Sequence, residues 1–148
     1  MSAPKVTHPG RRFDGTLYPR FMTTWAEVQA HVRNRFELET DTARSFSLWF
    51  RYEDGRKQRV VVRRFRAFEI EWLEFRSTVC SREELALDAA LRRNEETACG
   101  ALALDGDDTY VLIYSAPLPT MDTEELELPL YVVASHASQL KAELSRPG

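Results

Sequence analysis

Cysteine, histidine and long apolar runs are all scarce in this chain, and each scarcity removes a class of function. The 148 residues include two cysteines, Cys80 and Cys99, nineteen positions apart, with no CxxC pair and no histidine beside either. That spacing fits neither a zinc site nor a redox pair, so two reduced, packed thiols are expected. The three histidines, His8, His31 and His136, are scattered, and none stands in a ligand motif. His136 follows Ser135, but no G-x-S-x-G is present to set a nucleophile on a strained turn beside an oxyanion site. No catalytic residue, cofactor or metal site is therefore assigned. The longest apolar run in the strands, the five residues Tyr110–Tyr114, is far short of the ~20 needed to span a bilayer. No membrane partner is expected. The first ten residues carry two prolines and lack the apolar core of a secretory signal, which suggests a cytoplasmic protein. An excess of positive charge is missing too. The net charge is -3 and the pI about 5.7, which argues against a general nucleic-acid binder and leaves room for a local basic patch.

What is present is the composition of a globular domain, 43% hydrophobic and 29% charged, in a length that one domain accommodates. Residues 1–20 hold three prolines and two glycines and read as an extended arm; Phe13, Leu17, Tyr18 or Phe21 is placed to pin it. A single domain is expected over 21–146. Thr24 and Glu27 form a capping box, and Trp25, Val28, Val32 and Phe36 follow at helical spacing, giving a first helix that ends near Glu39. Phe46, Leu48, Phe50 and Tyr52 alternate with Ser47, Trp49 and Arg51 as in a strand with one covered face. Asp54-Gly55 then signals a hairpin with a primed turn. A second strand runs from Arg59 towards Phe65 and a third over Phe68–Val79. In the third, Ile70 and Trp72 share one face while Leu73 and Phe75 share the other, so a bulge or a two-sided strand is expected.

Ser81 and Glu84 make a second capping box, opening a helix through Leu85, Leu87, Ala90 and Leu91 that stops at Asn94. Its apolar residues exceed one stripe, so it is either central to the domain or a dimer contact. A second hairpin joins Gly100–Leu104 to Thr109–Tyr114 through Asp105-Gly106. Asp122 and Glu125 cap the last helix, whose stripe is Leu126, Leu130, Val133, Ala137, Leu140 and Leu144. Pro129 interrupts it, and a kink or break is expected there, since an interior proline costs a helix about 3 kcal/mol.

This order, with Trp72-Leu-Glu-Phe-Arg-Ser, Leu91-Arg-Arg-Asn94, Gly100-Ala-Leu-Ala-Leu, Tyr110-Val-Leu-Ile and Pro117-Leu-Pro-Thr-Met-Asp-Thr-Glu-Glu-Leu126, resembles the YbjN family, which shares its fold with type III secretion chaperones of the CesT and Tir-chaperone kind. The resemblance covers roughly Thr24 to Leu144 and implies a secretion-chaperone-like α+β fold, α-βββ-α-ββ-α, with helices on one face of a twisted antiparallel sheet. It further implies a non-enzymatic homodimer that holds an unfolded or extended client segment. The second helix would make the dimer contact through Leu85, Leu87 and Leu91, and clients would meet Trp25, Phe46 and Trp49.

Arg56, Lys57, Arg59, Arg63, Arg64 and Arg66 are the densest basic cluster. They either pair across the hairpin with Glu69, Glu71 and Glu74, or form an anion-binding stripe through Arg59, Arg63, Arg64 and Arg66. The stripe would suit a regulatory or sensory domain binding a small ligand or nucleic acid. Asp105, Asp107 and Asp108 resemble part of a calcium loop, but Ala116 stands where its closing glutamate is required, so a polar turn is favoured. Glu83-Glu84 and Glu124-Glu125-Glu127 occupy first helical turns, where the helix dipole favours negative charge.

Overall fold

The computed structural model of the chain describes residue 22 and residues 24–145. The arm expected over 1–20, and its contacts through Phe13, Leu17, Tyr18 or Phe21, lie outside the described residues. Ten elements follow in the order α1 Trp25–Arg35, β1 Thr40–Asp41, β2 Ser45–Arg51, β3 Lys57–Ala67, β4 Ile70–Ser81, a 3₁₀ turn Arg82–Glu84, α2 Leu87–Glu96, β5 Ala101–Leu104, β6 Thr109–Pro117 and α3 Thr123–Leu144. This is the α+β fold expected, enlarged by the short strand β1. The six strands form one open antiparallel sheet in the order β1-β2-β3-β4-β6-β5.

Alternation in the strands decides where the helices lie. Cross-strand partners share a face, so Phe46 and Val62, Leu48 and Val60, Val62 and Phe75, Phe75 and Tyr114, and Leu112 and Leu102 line one side. Most of these are fully buried, in one core with Val28 and Val32 of α1 and Leu126, Leu130, Val133 and Ala137 of α3. Among the described residues the other face is left open by the helices, and it carries Ser47, Trp49, Arg59, Arg63, Glu74 and Arg76. The phase change in β4 is thus a two-sided strand, with Leu73 and Phe75 inward and Ile70 and Trp72 outward. Its bulge lies further on, between Thr78 and Cys80.

The turns depart from the expected chemistry. Asp54-Gly55 does not form a primed turn: Gly55 donates to the Tyr52 carbonyl at 3.0 Å and only Gly55 is left-handed, at φ +87°, so the turn closes on a glycine bulge. The primed turn is at Phe68-Glu69, both left-handed at φ +52° and +67°, between the paired residues Ala67 and Ile70. These residues bear a real strain for side chains of their size. It is held by the stack of Phe65 on Trp72, 6.4 Å between centroids, and by the bond from Trp72 Nε1 to the Ala67 carbonyl at 2.9 Å.

Helices also differ at their ends. α1 stops at Arg35 rather than near Glu39, because Phe36 turns extended and packs on Phe50 and Tyr131. The capping box of Ser81 and Glu84 opens only the 3₁₀ turn, after which Leu85 is extended. Tyr110 fixes that break by donating its hydroxyl to the Leu85 carbonyl at 2.8 Å. α2 begins at Leu87 and runs past Asn94 to Glu96, so Asn94 is not a helix stop. Pro129 does not break α3, which continues over 22 residues. The buried stripe on both sides of Pro129 outweighs the one hydrogen bond that it removes.

Candidate functional site

The arginines expected as an anion-binding stripe are divided between the two faces of the sheet and already engaged. Arg59 and Arg63 lie on the open face, whereas Arg64 and Arg66 stand opposite Leu73 and Glu71 on the other; successive strand residues alternate, so no single stripe forms. Arg59 pairs with Glu39 at 2.7 Å and Arg64 with Glu71 at 3.2 Å, while Arg66 donates to the Glu69 carbonyl at 3.0 Å. Arg63 grips both oxygens of Glu74, each at 2.9 Å, and Arg76 adds a third bond at 3.1 Å. Within the cluster, then, Arg63 and Arg64 pair across the hairpin with Glu74 and Glu71, while Arg59 reaches Glu39 and Arg66 a backbone carbonyl.

Glu74 is buried on the open face, and these bonds set its titration. The hydrogen bonds from Arg63, with the charge of Arg76, hold its carboxyl below the usual 4.5 despite burial, which acts the other way. A carboxyl whose folded pKa is depressed stabilises the fold fully above its unfolded pKa, and this contribution is lost as pH falls through the folded value. The urea midpoint should therefore drop below about pH 4.5, and Glu74→Gln should flatten that drop. Arg59, Arg33 and the Arg56 amide hold Glu39, Asp41 and Asp54 low as well, but these are exposed and add less. An unchanged pH slope in Glu74→Gln would refute the assignment.

Two of the three aromatic residues expected to meet a client are in the core. Trp25 is 5% exposed and Phe46 fully buried, with their rings stacked at 5.9 Å. The helical spacing that places Trp25 beside Val28 and Val32 turns it inward with them. Only Trp49 is at the surface, 38% exposed, with the Lys57 ammonium 4.8 Å above its ring. The dimer residues divide in the same way. Leu85 is buried beside Tyr110 and is no contact residue, whereas Leu87 and Leu91 are 48% and 70% exposed. One helical turn apart, they form an apolar ridge along the outer side of α2, while Ala90 faces the core.

A client strand has little edge to join. β1 is two residues long. At the other edge, Asn94 of α2 accepts from the Leu102 amide at 2.7 Å and donates to its carbonyl at 3.3 Å, occupying the outward backbone groups in the middle of β5. Nothing in the sequence pattern marked Asn94 for this, because the contact depends on α2 continuing past it. Gly100 sets the entry to β5: at φ +87°, an added Cβ would lie 2.6 Å from the Ile113 carbonyl oxygen.

Other polar groups are structural. Glu127, buried on α3, accepts from Arg35 at 2.9 Å and lies 3.0 Å from His31 Nε2, tying α1 to α3. Burial lowers the pKa of the His136 imidazole and pushes the Cys80 and Cys99 thiols up, away from the reactive thiolate. Asp105 accepts the amides of Asp107 and Thr109, the work of a turn residue. Among the described residues no group of three acidic, histidine or cysteine side chains is placed to hold a metal, and no helix is long and apolar enough to cross a membrane. Neither a family model nor a curated protein matches the chain.

Proposed function

We propose that the chain is a non-enzymatic protein-binding module that works as a homodimer, joined through α2, and holds an extended client segment against the open face of its sheet. The observation that carries this reading is the ridge of Leu87 and Leu91, exposed on an ordered helix whose other side is already packed. A second copy is the occupant that the flanking charges suit. Asp88 and Arg92 lie on one flank of the ridge, and in an antiparallel pair of helices equivalent flanks meet, so each Asp88 faces the partner's Arg92. The secretion-chaperone resemblance implies the same helix as the dimer contact. With β5 blocked and β1 short, the client is placed across the face near Trp49 rather than along an edge. Light scattering at about 10 µM, well above the Kd of a specific dimer, should give twice the 17.1 kDa chain mass. Leu91→Asp should give the chain mass with an unchanged urea midpoint. A wild-type monomer at that concentration would overturn the reading.

A further inference from the structure

β3 and β4 part company halfway along the sheet. They are paired from Ala67–Ile70 as far as Val61–Arg76; beyond that, Lys57–Val60 pairs only with β2 and the rest of β4 only with β6. A bulge follows in β4 between Thr78 and Cys80, and bulges increase local twist. Side chains bridge the gap where the ladder stops. Gln58 Nε2 donates to Ser77 Oγ and to the Thr78 carbonyl, both at 2.7 Å, and Ser77 Oγ donates to the Arg59 carbonyl at 2.6 Å. These partners fix the amide orientation, because the Thr78 carbonyl can only accept. Among the described residues the amide oxygen of Gln58 is then left buried without a hydrogen-bond partner, in a residue 1% exposed. Native proteins seldom leave such an acceptor unmet.

A cleft of about 300 Å³ opens at this split, with Gln58 and Thr78 in its wall and Trp49 among its lining residues. That is the lower end of the range for small-molecule sites. Its charged lining is three cations, Arg59, Arg76 and Lys141, against one carboxylate, Asp105. Arg59 and Arg76 each also serve a neighbouring glutamate, but a guanidinium has five N–H groups. The Lys141 ammonium makes no ion pair or hydrogen bond among the described residues. Three strands and the end of α3 thus bring together an aromatic face, an excess of positive charge and an unmet acceptor.

We infer that this cleft is a binding site for a small planar organic anion that also carries an O–H or N–H donor. The anion meets Lys141 and the two arginines, the ring lies against Trp49, and the donor satisfies the Gln58 oxygen, which a small movement of that side chain opens to the cleft. This site is independent of the dimer contact, since α2 contributes nothing to it, but it shares Trp49 with the face proposed for the client. The test is titration of the full chain with 4-hydroxybenzoate, benzoate and phenol, followed by amide NMR. 4-Hydroxybenzoate should shift the amides of Gln58, Thr78 and Val111 saturably, with benzoate weaker by about tenfold for the lost donor and phenol weaker still for the lost charge. Lys141→Met should weaken 4-hydroxybenzoate by about tenfold or more and leave the urea midpoint unchanged. Phenol binding as tightly as 4-hydroxybenzoate, full affinity in Lys141→Met, or no saturable shift at millimolar probe would each overturn the inference.

Discussion

Gly100→Ala is expected to destabilise the domain by about 3 kcal/mol or more, the sum of a left-handed backbone and a steric conflict with no flexible side. The residue sits at φ +87°, and the Cβ would come 2.6 Å from the carbonyl oxygen and 3.2 Å from the carbonyl carbon of Ile113. Those atoms belong to β6, which is paired with β4 on its other side, so the strand cannot yield without disturbing the centre of the sheet. The neighbouring turn supplies the control. Gly106 has no heavy atom within 4 Å of an added Cβ and no positive φ, so Gly106→Ala should change stability by no more than about 0.5 kcal/mol. Urea denaturation of the two variants measures both. Equal midpoints would show that β5 does not enter the sheet at Gly100 as described.

Phe46→Ala should cost about 4 kcal/mol, within the range for truncating a buried aromatic side chain. Phe46 is fully buried, stacks on Trp25 and faces Val62 across the β2–β3 pair. Trp49→Ala, three residues along on the opposite face, removes a larger side chain but one that is 38% exposed, and should cost about 1 kcal/mol or less. The contrast separates core from surface among three aromatic residues that resemblance alone would group together. If Trp49→Ala proved the more damaging, the two faces of β2 would be assigned the wrong way round.

The sequence revealed the elements better than it did the contacts between them. The alternation of Phe46, Leu48 and Phe50 is legible because a strand has a period of two and one face must be covered. The stripe of α3 is legible for the corresponding reason, and it persists through Pro129 because the sheet, not local propensity, holds that helix together. Turn conformation was not legible. Asp54-Gly55 carries the stronger local signal, yet Phe68-Glu69 adopts the primed turn, because the register of β3 on β4 leaves only two residues to connect Ala67 with Ile70. The start of α2 was hidden similarly: the hydroxyl of Tyr110, 25 residues away in sequence, holds Leu85 extended.

Site residues were harder to read, because their roles depend on which face is covered. Leu85, Leu87 and Leu91 look equivalent in sequence, and only the displaced helix start separates the buried one from the exposed pair. Gln58 did carry a signal. It is a polar residue in phase with Val60 and Val62, and a polar side chain on a buried face must find partners. Those partners lie across a gap in the sheet that no local pattern discloses.

Sedimentation velocity on a charge-exchanged pair of variants tests the pairing of α2 with α2 most directly. Asp88→Arg alone and Arg92→Asp alone each place like charges face to face at both ends of the proposed contact, and each should sediment as the 17.1 kDa chain. The chain carrying both substitutions restores the opposite pairing and should return to twice that mass, as should an equimolar mixture of the two single variants, whose mixed dimer has opposite charges at both ends. Restoration in the double variant is what antiparallel pairing through α2 predicts. Single variants that sediment as the wild type does, or a double variant that stays monomeric while the wild type is dimeric, would contradict it.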